Sequence, residues 1–155
     1  MTRDAKNPEP TAGRIDGKGA HHLPVRVYYE DTDAAGIVYY ANYLKFIERA
    51  RTDMMRLLGV SHSRMAAEEG LSFIVRSCSV KYRKPARLDD GLDIRTRILR
   101  VRGPVLDIEQ EVLRREELLV SADLRIACMN GDGRVQGLPE TIRSAFARIA
   151  QSATA

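Results

Sequence analysis

From Leu23 onward the apolar and polar positions fall into stretches of period two and stretches of helical period, and their succession predicts the elements. Val25, Val27 and Tyr29 alternate with Arg26, Tyr28 and Glu30, as expected of a first strand with one covered face. "DTDAAG" then interrupts, because aspartate bonds its own backbone and glycine accepts positive φ. Beyond it Leu44, Ile47, Met54, Met55 and Leu58, with the stem of Arg51, recur at three and four residue spacing. Lys45, Glu48, Arg49, Asp53 and Arg56 fall largely elsewhere, so this is a helix of about four turns, closed by Gly59. Ser61 caps a short second helix that Gly70 stops.

The period then changes to two. "LSFIVRSCSVKYRKPARL" begins as a long strand with imperfect alternation, and Pro85 breaks its ladder. Leu92, Ile94, Thr96 and Ile98 share one face of the next strand, and Leu106, Ile108 and Val112 share one face of the strand after the "RGP" turn. "RREE" connects to Leu118, Val120, Ala122, Leu124, Ile126 and Cys128, the longest clean alternation in the chain, which "NGDG" ends. Ile142, Ala145, Phe146 and Ile149 mark a final helix after Pro139. One apolar helix face and one apolar sheet face must cover each other. The pattern therefore predicts an α+β domain of the hotdog type, a curved antiparallel sheet wrapped around a long central helix. The expected boundaries are a flexible tail over 1–22, the domain over 23–150 and a short tail over 151–155. Edge strands and an open helix flank make self-association an expectation.

Composition narrows the picture without changing it. The chain has 155 residues, 44% hydrophobic and 30% charged, which excludes disorder along its whole length and fits one domain. No apolar run approaches the roughly 20 residues that span a bilayer, and the N-terminus lacks the apolar centre of a signal peptide. The cytoplasm is the expected compartment. Cys78 and Cys128 both lie in apolar-patterned runs and read as reduced core residues. A net charge of +4 favours anionic partners, yet Arg3, Lys6, Arg14 and Lys18 alternate with Asp4, Glu9 and Asp16, so the tail is no concentrated basic arm.

The chemistry concentrates between the first strand and the long helix. Asp31, Thr32 and Asp33 each fit a turn or cap. The competing reading starts from the helix that follows, whose first amides are unpaired and can hold a developing negative charge. A carbonyl oxygen aimed at those amides presents its carbon to Asp33, which either attacks it or activates a water. No metal cluster, G-x-S-x-G, dinucleotide fingerprint or Walker motif competes; His21 and His22 adjoin in the tail and His62 stands alone. Gly36, Tyr39, Asn42 and Tyr43 are candidates to meet substrate. Arg76, Lys81, Arg83, Lys84 and Arg87 are candidates for a phosphorylated tail, ahead of nucleic acid. Glu48, flanked by Lys45 and Arg49, reads as a helical ion pair.

"YYEDTDAAGIVYYANYLKFIERART" closely resembles the signature of the 4-hydroxybenzoyl-CoA thioesterase family, in particular its branch of acyl-CoA thioesterases associated with the Tol-Pal cell-envelope system. Similarity to the family layout runs from Leu23 to Arg148 and includes "KYRKPARLDD" and "GLPETIR". The resemblance implies a hotdog fold, assembly as homodimers or homotetramers, and hydrolysis of acyl-CoA to a free acid and coenzyme A without a cofactor. It places the catalytic aspartate at Asp33, the carbonyl-polarising backbone N–H at Tyr40 and a structural turn residue at Asp31. It also places the protein on the cytoplasmic side, beside the inner membrane. The branch commonly has histidine where this chain has Tyr40, a departure that leaves the backbone N–H in place. The alternative is a noncatalytic module that binds acyl-CoA or an acyl carrier protein within an envelope or lipid-synthesis assembly.

Overall fold

The computed structural model describes residues 13–151. In chain order the elements are β1 (Arg14–Ile15), β2 (His21–Arg26), a 3-10 turn (Tyr29–Asp31), α1 (Asn42–Leu57), α2 (His62–Glu69), β3 (Ser72–Tyr82), β4 (Gly91–Arg102), β5 (Val105–Arg114), β6 (Glu117–Met129) and α3 (Glu140–Ile149). The strands form one antiparallel sheet in the order β1-β2-β4-β5-β6-β3. The helix stops are those expected: Gly59 and Gly70 both adopt positive φ, and Ser61 Oγ accepts from the Arg64 amide at the start of α2.

The α+β composition and the antiparallel meander hold; the wrap does not. The sheet is open, with β1 and β3 as two edges that do not pair with each other, and α1 packs on β1, β2, β4 and β5 from one side. The hotdog arrangement of a sheet curled around the helix is therefore overturned. The physical reason lies in β3, where a bulge between Val75 and Ser77 breaks the alternation and Val75, on the helix side, stays 49% exposed. A strand without a continuous apolar face has little to bury by closing over the helix.

Under α1 the predicted faces are filled. Leu92, Ile94, Thr96 and Ile98 of β4 and Leu106, Ile108 and Val112 of β5 are buried. The helix meets them with Phe46, Ile47, Ala50, Met54 and Met55, while Leu44, expected on this stripe, faces outward. Gln110 is fully buried in the same layer. Its Nε2 donates to the Ile47 carbonyl and to Thr96 Oγ1, each at 2.9 Å, and its Oε1 accepts from Arg51 at 3.0 Å, so no polar atom of its side chain is stranded. Cys128 is buried, whereas Cys78 is exposed because it sits on the open β3 edge.

Residues 1–12 of the expected tail and 152–155 of the expected C-terminal tail lie outside the described residues. Of residues 13–22, also expected in the tail, Arg14 and Ile15 form β1, which pairs with β2, and His21 and His22 begin β2. His21 is fully buried, with Nε2 2.6 Å from Asp53 Oδ2, which also accepts from the Gly13 amide at 2.9 Å. Its Nδ1 is buried without a partner. Burial disfavours the imidazolium more strongly than Asp53 favours it, and the pKa lies below the usual 6.5. A neutral ring donating from Nε2 fits both facts, since Nδ1 is then a bare acceptor and not a stranded donor. His22 places Nδ1 2.8 Å from Asp93 and Nε2 2.9 Å from Asp16. The His22 hydrogen bond, against desolvation and with the Ala20 and Lys18 amides, brings the Asp16 carboxyl down to about 2.

Candidate active site

The segment between β2 and α1 is a compact loop whose backbone bonds set each side chain. The Asp31 carboxylate accepts from the Tyr28 amide at 2.8 Å, and the Asp31 carbonyl accepts from the Tyr39 amide at 3.0 Å and from Asn42 Nδ2 at 2.9 Å. Asp31 is thus a turn former, and Asn42 clamps the start of α1 onto it. Asn42 spends on this clamp a donor that the sequence assigned to substrate.

Asp33 heads the next turn. Its amide donates to the Ile37 carbonyl at 2.9 Å, and its carbonyl accepts from Gly36, whose φ of +78° no side-chain-bearing residue adopts without strain. Thr32 bridges Val38 across this turn. Asp33 Oδ1 accepts from the Ala35 amide at 2.8 Å, which orients the carboxylate, and the residue is exposed to solvent.

The beginning of α1 supplies the complementary group. Among the described residues, the amides of Tyr40 and Ala41 have no hydrogen-bond acceptor. Ala41 is the N-cap of α1 and Tyr40 the residue before it, so both amides lie at the positive end of the helix macrodipole. Beside them lies a cleft of about 270 Å³ lined by Ile37, Val38, Tyr40, Tyr43, Tyr82, Arg83, Lys84 and Pro85. Tyr43 is buried in its floor, its Oη accepting from the Ala86 amide at 2.9 Å, and burial raises the pKa of its phenol. Tyr39 packs edge-on against Tyr40, ring centroids 5.0 Å apart, on the exposed side.

The structure divides the sequence candidates. Tyr40, Tyr43, Arg83 and Lys84 come together at the cleft. Asp33, Gly36, Tyr39 and Asn42 belong to the adjoining loop and helix start but are not part of its lining. The basic group does not converge as one cluster. Lys84 is paired with Glu117 at 2.8 Å, Lys81 stands opposite Ser121 on the outer face, and Arg76 lines a separate concavity with Arg102 and Arg125. Glu48 has no ion-pair partner among the described residues. Tyr82, absent from the sequence candidates, is the addition. Its place at the end of a strand heading toward "RKPAR" is the signal that could have found it. No three His, Cys, Asp or Glu side chains converge as a metal-ligand set among the described residues, and no helix there is long and apolar enough to cross a membrane.

The profile of the thioesterase-like superfamily matches residues 27–146, a span that holds the loop, the cleft and the whole of α1. The chain belongs to this superfamily. Among curated proteins it is 40% identical over 125 residues to the acyl-CoA thioesterase YbgC of Haemophilus influenzae, covering 80% of this chain and 92% of that one. It is 43% identical over 125 residues to the acyl-CoA thioester hydrolase YbgC of Escherichia coli O6:H1, covering 79% and 92%. Among solved structures it resembles a probable thioesterase from Bartonella henselae, with 38% identity and a TM-score of 0.74 over 77% of this chain and 99% of that one. The superfamily assignment agrees with the resemblance carried by the loop-to-helix segment.

Proposed function

We propose that this thioesterase hydrolyses acyl-CoA with Asp33 as its carboxylate and the Tyr40 N–H as the donor to the thioester oxygen. The chain is an acyl-CoA thioesterase, in keeping with its YbgC relatives. The observation that carries the residue assignment is the two amides of Tyr40 and Ala41, without an acceptor among the described residues, beside an apolar cleft next to the loop that presents Asp33. Preorganised amides of this kind stabilise a tetrahedral oxyanion without rearranging during the reaction.

Two routes balance. In the first, an Asp33 oxygen adds to the carbonyl carbon and the C–S bond breaks. Coenzyme A leaves as a thiolate that takes a proton from solvent, and water hydrolyses the resulting mixed anhydride, restoring Asp33. In the second, Asp33 takes a proton from the attacking water, and the departing thiolate recovers that proton. In both, the oxyanion sits on the Tyr40 amide. Arg83, at the cleft and without a carboxylate partner among the described residues, and Lys84 beside it support contact with phosphate, the group shared by coenzyme A and the prosthetic arm of an acyl carrier protein.

The working assembly is a homodimer or homotetramer. The free β3 edge supports this, as does the position of Asp33 outside the cleft lining of a single copy, which leaves one side of the site for a second copy to close. The deciding experiment is Asp33→Asn assayed by thiol release from acyl-CoAs. Turnover is expected to fall by about 10²- to 10⁴-fold with folding and oligomeric state unchanged. Wild-type turnover in the folded variant removes Asp33 from the reaction.

A further inference from the structure

We propose that Tyr82 is a positioning residue for the thioesterase reaction: its hydroxyl holds the Tyr40 carbonyl, and its ring forms the cleft wall against which the acyl group lies. This rests on the assignment of the Tyr40 N–H as the oxyanion donor.

Tyr82 is the last residue of β3, and its register opposite the buried Val120 turns its side chain to the helix side of the sheet. The Arg83 and Lys84 amides both donate to the Leu119 carbonyl, at 2.8 and 3.1 Å, which ends the strand and fixes where Tyr82 stands. From there Oη donates to the Tyr40 carbonyl at 3.3 Å. The ring meets Tyr40 edge-on at 6.2 Å and Tyr43 at 5.8 Å, so three aromatic rings frame one side of the cleft.

Other contacts also tie the 82–88 segment to the loop. Val38 donates to the Ala86 carbonyl, Ala86 donates to Tyr43 Oη, and Leu88 donates to the Gly36 carbonyl. Those bonds build the walls, and the one from Tyr82 is the contact that reaches residue 40. The Tyr40 carbonyl shares its peptide plane with the Ala41 amide, so this bond orients the second of the two candidate donors directly and restrains the Tyr40 amide from the far side of the same residue. Tyr82 and Tyr40 are 47% and 61% exposed and the bond between them faces solvent, so it does not serve to satisfy a buried group. At 3.3 Å this is a long O–H···O contact, and the edge-on and tilted ring contacts with Tyr40 and Tyr43 share the positioning.

The test compares Tyr82→Phe, which keeps the ring and loses the hydroxyl, with Tyr82→Leu, which loses both. Each is assayed in the full-length protein by thiol release over a range of acyl-CoA concentrations, with thermal melts as the check on folding. Tyr82→Phe is expected to lower kcat by roughly tenfold to a hundredfold at nearly unchanged KM and unchanged Tm. Tyr82→Leu is expected to show the same loss in kcat together with a KM raised several-fold. Wild-type kcat in folded Tyr82→Phe overturns the role of the hydroxyl, and an unchanged KM in Tyr82→Leu overturns the role of the ring. Asp33→Asn, run alongside, separates the two readings. An inactive Asp33→Asn with a fully active Tyr82→Phe sinks this inference alone, whereas a slowed Tyr82→Phe beside an active Asp33→Asn keeps Tyr82 and removes Asp33.

Discussion

The half of the sheet beneath α1 and the region around the cleft are built on opposite terms. Under α1, β4 and β5 alternate cleanly, their inward side chains are buried, and even the buried Gln110 has every polar group paired. Around the cleft, Tyr39, Tyr40 and Tyr82 stand roughly half exposed, the amides of Tyr40 and Ala41 have no acceptor among the described residues, and isolated hydrogen bonds hold the loop. The first region lowers free energy by removing apolar surface from water. The second leaves donors unspent, which weakens it as structure and, on the proposed assignment, leaves them for a substrate oxygen. On the proposed site assignment, stability and reactivity reside in different residues, and substitutions should separate them.

The largest expected effect on stability comes from the covered half. Phe46→Ala removes a buried ring where α1 meets the sheet and should cost about 3–5 kcal/mol, measured by urea unfolding. The molecules that remain folded should keep their kcat, the reverse of the outcome expected for Asp33→Asn. Asn42→Ala lies on the boundary between the regions. Losing its bond to the Asp31 carbonyl should cost about 1 kcal/mol in the same measurement, and thiol release should fall by a larger factor than that stability loss explains. Equal sensitivity of both readouts would erase the distinction at this residue.

The smallest effect is the pH dependence of the covered half. The folded pKa of His21 lies below its ordinary 6.5, so on acidification the unfolded chain binds the proton first. Stability present above 6.5 should be lost as the pH falls below it, seen as a Tm that declines on acidification from neutral pH. His21→Asn should flatten this slope. A separate decline belongs to Asp16, whose contribution is complete above 3.8 and disappears as the pH falls toward about 2.

Much of the covered half was legible in the sequence because its information is local. The alternation at Leu92 to Ile98 and at Val120 to Cys128 states which side is buried, and Ser61, Gly59 and Gly70 mark helix boundaries through their own geometry. The misses share a different cause: each depends on a partner distant in the chain. Gln110 looks wrong for a core until Thr96 and Arg51 are beside it. His21 and His22 read as tail until Asp53 and Asp93 meet them. Cys78 has the surroundings of a core residue and is exposed because β3 happens to be an edge. Alternation likewise records a face and carries nothing about whether two edges meet, which is why the wrapped sheet was expected and an open one is found. At the site, the loop from Asp31 to Tyr43 announced itself through its turn chemistry. The division of the basic residues and the role of Tyr82 emerge only once β3 is laid against β6.

The contrast between the two sheet margins bears on behaviour in a crowded cell. β1 ends after two residues and offers an incoming strand almost nothing to grip. β3 runs for eleven residues, a length on which stray polypeptides could template themselves, yet it is kinked beside Arg76 and carries Lys81 near its end. Irregularity and positive charge together make it a poor seed for fibrous stacking. Smoothing that kink or neutralising those cations would trade selective contact for clumping.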